Sequence, residues 1–209
     1  MKIRVELRVR LKVADLVAQT AWMTLTEKLD FSGRLRGLAR YSYWAMDAAG
    51  ESAERIIDEI DRAVRLDSAF TNQNKHCYSL RALDGTAGSG PGRGDLRPER
   101  DFPVMDRGPD PRTPVFACDL LIREKDEARE EGFVSRLNGR LEGVEVSEMK
   151  AGEVWRLLCG ATDGESSKRL AEEMAVTRSR REGLLLNPHY QRYEFIGVTP
   201  VEIKKESKD

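Results

Sequence analysis

The feature that most constrains this chain is an internal repetition. Trp44 leads through a short apolar run to Gly50-Glu51-Ser52, then a polar segment of helical pattern, Phe70-Thr71-Asn72 and Tyr78. Trp155 leads in the same order to Gly164-Glu165-Ser166, a second charged helical segment, Leu185-Leu186-Asn187 and Tyr193. Unlike markers recurring in a fixed order predict one supersecondary unit used twice. The chain is therefore divided into a first module over 1–83, a Gly/Pro-rich linker over 84–112, a second module over 113–200 and a charged tail over 201–209.

Periodicity supplies the elements within each copy. Ile3, Val5, Leu7, Val9 and Leu11 alternate with Lys2, Arg4, Glu6, Arg8, Arg10 and Lys12, which predicts a strand with one buried and one wet face. Asp15 is placed to cap a helix carrying Val17, Ala21, Trp22, Leu25 and Leu29. Leu35 to Ala48 reads as one long or broken strand. Ser52 is placed to cap a helix with Ile56, Ile57, Ile60, Ala63 and Val64 inside and Glu54, Arg55, Asp58, Glu59, Asp61 and Arg62 outside. His76 to Leu83 closes the copy as a strand. The second copy repeats the order with a strand over Val115 to Ile122, a helix carrying Ala128, Val134, Leu137 and Leu141, and a strand opened by Val144 and Val146 that resumes at Val154 to Ala161. A helix capped by Ser166 and a strand from Tyr190 to Val198 complete it. Strand, helix, strand, helix, strand in so short a span predicts an α+β ferredoxin-like module, an antiparallel sheet with helices packed on one face.

Composition excludes several classes. With 35 Lys and Arg against 36 Asp and Glu, the net charge of −1 leaves no basic excess for nucleic acid. Cys77, Cys118 and Cys159 are odd in number and scattered, which gives neither a disulfide framework nor a zinc ribbon; the last two read as small core residues. No apolar run approaches the length that spans a bilayer, and the start alternates charge with hydrophobe unlike a signal peptide, so a cytoplasmic protein is expected.

The chemistry-bearing residues read as structure. His76 and His189 stand near the starts of closing strands; Glu194 lies near His189, but no Ser or Cys nucleophile adjoins it and metal-ligand spacing is missing. Asn72 and Asn187 suit turns through side-chain bonds to nearby backbone. Arg178, Arg180 and Arg181 suit a helix end, and the acids from Glu54 to Asp61 a solvated helix face. Gly88 to Gly94 lacks the Lys-Ser/Thr of a phosphate-binding loop and no helix pattern follows. Arg93-Gly94-Asp95 is discounted as an adhesion motif. No residue is assigned a catalytic, cofactor-binding or metal-ligating role, and no cofactor is expected.

Three stretches carry a family resemblance: the opening strand Val5-Glu6-Leu7-Arg8-Val9-Arg10-Leu11-Lys12, Gly50-Glu51-Ser52 before the second helix, and Leu184-Leu185-Leu186-Asn187-Pro188-His189-Tyr190-Gln191-Arg192-Tyr193-Glu194-Phe195. On these the module resembles the PurS family, the small subunit of phosphoribosylformylglycinamidine synthase. The resemblance implies a subunit that does not catalyse, forms dimers or tetramers, and bridges the glutaminase and ATP-using synthetase subunits in purine biosynthesis. Two copies in one chain would stand in for one dimer of that subunit, with the linker supplying a high effective concentration. The alternative from a different class is a regulatory protein that binds a small molecule between paired ferredoxin-like units.

Overall fold

The computed structural model describes residues 1–83, 92–96, 104–105, 113–125, 128–179 and 182–201. It is α+β. The elements are β1 (Lys2–Leu11), α1 (Leu16–Met23) continuing into a π-helical turn at Thr24–Lys28, β2 (Leu35–Ala49), α2 (Ala53–Leu66) and β3 (His76–Leu83). Then come two short strands, β4 (Gly92–Gly94) and β5 (Val104–Met105), followed by β6 (Val115–Glu124), α3 (Ala128–Asn138), β7 (Glu145–Gly160), α4 (Gly164–Ala175) and β8 (Gln191–Val201). Among the described residues, no helix is long and apolar enough to cross a membrane.

The chain packs as two compact units. Unit 1 holds Met1–Ala14, Tyr41–Asp101 and Arg123–Glu153; unit 2 holds Asp15–Arg40, Phe102–Ile122 and Val154–Asp209. These units and the sequence halves 1–83 and 113–200 are different partitions of the chain. Unit 1 takes β1, the end of β2, α2 and β3 from the first half, with α3 and the beginning of β7 from the second. Unit 2 takes β6, the end of β7, α4 and β8 from the second half, with α1 and the beginning of β2 from the first. The exchange is reciprocal, element for element.

In unit 1 the strand order is β4-β3-β1-β2-β7. β1 lies antiparallel between β2, with Leu7 opposite Trp44, and β3, with Leu7 opposite Leu80. Val5, Leu7 and Val9 turn one face toward Ile56, Ile57 and Ile60 of α2, and the same core takes Leu137 of α3 with Val146 and Met149 of β7. Burying each such side chain is worth roughly 1.5–3 kcal/mol. Trp44 meets Phe70 and Phe133 edge-on, at 5.5 and 5.9 Å between ring centroids, so an α3 aromatic completes a cluster begun in the first half.

In unit 2 the order is β2-β7-β6-β8, with β5 pairing β2 at Gly37 and Leu38. Its core gathers Ala18, Ala21 and Leu25 from α1 and its π-helical extension, Cys118, Leu120 and Ile122 from β6, Trp155, Leu157 and Cys159 from β7, and Leu170 and Met174 from α4. Asp15 caps α1, its side chain accepting from the Val17 and Ala18 N–H groups. Arg40 of β2 holds the same carboxylate at 2.9 Å.

Several sequence expectations need correction. The polar face of β1 is not wet at its centre: Glu6 is 4% and Arg8 3% exposed. Strands on both sides crowd these side chains, and they satisfy one another instead of water. The helix expected to be capped by Ser166 is capped by Asp163, whose side chain accepts from the Ser166 N–H at 2.8 Å. Ser52 does cap α2, accepting from the Arg55 N–H. The strand expected to open at Val144 and Val146 and to resume at Val154 is one continuous β7.

Within 84–112 the described residues are strand-like. Gly92–Gly94 pairs with β3 as Ser79↔Gly94 and Arg81↔Gly92, and Leu96, 1% exposed, donates its N–H to the Tyr78 carbonyl. The rest of the expected linker, and the charged tail beyond Val201, lie outside the described residues.

Candidate functional site

The two asparagines expected to form turns build the same turn twice. In the first, the Asn74 N–H donates to the Asn72 side-chain oxygen at 3.0 Å. The Lys75 and His76 N–H groups donate to the Asn72 carbonyl, and the Asn72 N–H donates to His76 Nδ1 at 3.1 Å. In the second, the His189 N–H donates to the Asn187 side-chain oxygen at 3.0 Å. The Tyr190 and Gln191 N–H groups donate to the Asn187 carbonyl, and the Asn187 N–H donates to Gln191 Oε1 at 3.0 Å. His76 and Gln191 thus do one job, offering an acceptor that closes an Asx turn. Burial and neighbouring Lys75 hold the His76 imidazole below its ordinary pKa, which keeps that acceptor lone pair available. His189 is exposed within the second turn.

The acids of α2 divide into two groups, against the expectation of one solvated face. Glu54 and Asp58 are exposed, Asp58 pairing with Arg93 at 2.6 Å. Glu59 and Asp61 are each 8% exposed. Glu59 accepts from Arg62 and from the Glu142 N–H, because the connection after α3 lies over it. Its carboxyl is held below the usual range, chiefly by the Arg62 hydrogen bond. Asp61 accepts from the Tyr78 hydroxyl at 2.6 Å and from Arg65 at 3.2 Å. Burial, helped by that bond to Asp61, pushes the Tyr78 phenol upward.

Three charged arrangements had no sequence signal beyond a polar residue in a strand or after a helix. Glu6 accepts from Arg8 at 2.9 and 3.1 Å and from Arg81 at 2.9 Å. Burial raises the Glu6 carboxyl, yet the two guanidinium groups together outweigh it and hold it below the usual range. Burial, with Glu6 as neighbour, pushes Tyr43 upward. In unit 2, Arg156 grips Asp119 through Nε and Nη2 at 2.5 and 2.6 Å. Asp67, just past α2, is seized by Arg136 and Arg140 of and after α3 and is brought down to about 2, first by the Arg136 hydrogen bond. All three are carboxylate–guanidinium locks, with each acid already saturated by donors. They brace the fold.

Of the remaining candidates, Arg178 pairs with Glu172 at 2.9 Å, while Arg180 and Arg181 lie outside the described residues. Gly92–Gly94 of the glycine-rich run is strand; 88–91 lie outside the described residues. Cys118 and Cys159 sit side by side in the unit 2 core, and the Cys159 thiol is pushed up by its hydrogen bond to Cys118 and by burial. Among the described residues, no group of three or more His, Cys, Asp or Glu side chains is arranged to hold a metal ion.

What stands out at the surface is α1. Leu16, Val17 and Met23 are 72%, 51% and 53% exposed on a helix whose other side fills the unit 2 core. Comparison with protein-family models, curated proteins and solved structures found no match.

Proposed function

We propose that the chain is a non-catalytic accessory subunit made of two tandem ferredoxin-like, PurS-like modules joined as a pseudo-dimer. Its work is to bridge the glutaminase and synthetase subunits of a phosphoribosylformylglycinamidine synthase. The observation that carries this reading is the reciprocal composition of the two compact units, each lending the other one helix and part of a strand. Exchange of that kind is what two subunits clasped about a two-fold axis leave behind when they are joined in one polypeptide. The duplicated Asn72 and Asn187 turns support the same origin, and the equal separation of Trp44 from the start of α2 and of Trp155 from the start of α4 agrees with it. Charged residues spent on internal locks, together with an apolar α1 surface, favour protein contact over chemistry.

The test is co-purification of the tagged full chain with the glutaminase and synthetase subunits of its own cell, with glutamine and nucleotide present. Retention of both partners is expected, and Leu16→Glu on the α1 surface is expected to reduce it without lowering the melting temperature. Failure of both to associate would remove the bridging role.

A further inference from the structure

Asn138 ends α3 and is turned back onto β7. Its side-chain amide donates from Nδ2 to the Val146 carbonyl at 2.8 Å and accepts the Val146 N–H on Oδ1 at 2.8 Å. One amide thus pairs with Val146 as the peptide group of a neighbouring strand would. Leu137 and Val146 both lie in the unit 1 core, with Phe133 packed against it. Near the other end of α3, Glu130 accepts the Ala151 N–H at 2.9 Å, so the helix is fastened to β7 at two places. The residue after Asn138 is an exposed glycine, and its N–H donates to the Ser135 carbonyl at 3.1 Å.

We propose that the Asn138-Gly139 pair is a site of spontaneous covalent modification, which the seating of α3 on β7 holds off. The Gly139 nitrogen gives its proton to hydroxide and attacks Cγ of Asn138. The new C–N bond forms as the bond to Nδ2 breaks, and Nδ2 takes a proton from water and leaves as ammonia. Water then adds to one carbonyl of the resulting succinimide ring and breaks one of its C–N bonds, leaving aspartate or isoaspartate. Asn72 and Asn74 precede Gln73 and Lys75, whose side chains crowd the attacking nitrogen, and Asn187 precedes Pro188, whose nitrogen has no proton to lose. Asn138 precedes a glycine, which has no side chain to hinder the attack.

Two restraints keep the reacting atoms apart in the folded chain. The Val146 pair fixes the amide, and the Gly139 N–H is committed to Ser135 as a continuation of the helical ladder. Ring closure breaks both, so the reaction runs through an opened state in which the last turn of α3 has left β7. Either product lacks the Nδ2 donor and sets a carboxylate oxygen against the Val146 carbonyl, acceptor facing acceptor. Isoaspartate also routes the backbone through the side-chain carbon. A transient opening of α3 thereby becomes a permanent one. The site is independent of the bridging role proposed above.

The test is to hold the full chain at mildly alkaline pH with and without guanidinium chloride, and to follow conversion by mass spectrometry of the tryptic peptide 137–140. Conversion is expected at least about tenfold faster in denaturant than in the native state, with near-ultraviolet circular dichroism confirming that the native sample is folded. Gly139→Ala, whose added Cβ would lie in ordinary contact 3.6 Å from the Ser135 carbonyl, is expected to slow the reaction of the unfolded chain severalfold. Asn138→Asp, which makes one product directly, is expected to melt at a lower temperature than the wild type or to lose its cooperative melt. The proposal is overturned by an Asn138 that stays unconverted in denaturant, or by equal rates in the folded and unfolded chain. An Asn138→Asp variant that melts with the wild type overturns it as well.

Discussion

At the scale of single residues, the fold relies on polar groups whose partners are fixed. His76 accepts the Asn72 N–H through Nδ1, so protonating the ring turns an acceptor into a second donor and breaks the turn. Its folded pKa lies below that of the unfolded chain, so the unfolded chain takes the proton first. The stabilisation is complete above the ordinary histidine pKa and is lost as pH falls through the depressed folded value. His76→Gln places the group used by the second turn in the first, and should remove this component of the acid sensitivity. Urea denaturation of both proteins from neutral pH to mildly acidic pH checks it; parallel pH dependences would count against it. The Glu6–Arg8 pair is a second case. Glu6→Gln leaves the buried Arg8 guanidinium without a full counter-charge and should cost about 3 kcal/mol. Glu6→Leu with Arg8→Met, which removes both charges together, should cost clearly less in the same denaturation measurement.

At the scale of elements, the neck of the loop after α4 depends on one backbone conformation. Gly183 has φ of 68°, and a Cβ there would collide with the Val176 carbonyl. The close approach lets Leu184, Leu185 and Leu186 donate N–H groups to the last carbonyls of α4 at Met174 and Ala175, satisfying the helix end. Gly183→Ala should therefore lower stability by about 2 kcal/mol or more, read as a fall in melting temperature, whereas Gly132→Ala, with open space around it, should not. Element boundaries were largely legible in the sequence. His76–Leu83 is a strand as read, and Ser52 caps α2, because alternation and side-chain capping are local physics. The Ser166 cap was misplaced because Gly-Glu-Ser recurs in the sequence at positions that are not equivalent: Ser52 precedes its helix and Ser166 lies inside its own. The burial of Glu6, Glu59 and Asp61 was not legible, since periodicity separates polar from apolar faces but does not say what covers the polar one. For the same reason the exposure of Val17 was not legible: it fits the apolar stripe of α1, yet it is 51% exposed because the core is met by another side of the helix.

At the scale of the whole molecule, the two sequence halves are not self-sufficient. Without the second half, the first loses Phe133, Leu137, Val146 and Met149 from the unit 1 core. Without the first half, the second loses Ala18, Ala21, Leu25 and Leu38 from the unit 2 core. Produced separately, residues 1–83 and 113–201 should each fail to give a folded monomer, and mixing them should restore near-ultraviolet circular dichroism and a cooperative melt. A folded, monomeric first half by light scattering would contradict the exchange. The turns at Asn72 and Asn187 were visible in the sequence as turn-forming residues. The exchange was not, because an amphipathic helix specifies that a face must be covered and leaves open which segment covers it.

That exchange also sets a timetable for synthesis. A ribosome extends the chain from its beginning at about 5–20 residues per second, and early segments ordinarily fold as they emerge. Here α2 and β1 reach the tunnel exit long before Val146 and Met149 do, and α1 emerges long before Leu170 and Met174. The nascent chain must hold greasy surfaces open for seconds, and neither centre of packing can close until translation has passed Met149 for one and Met174 for the other.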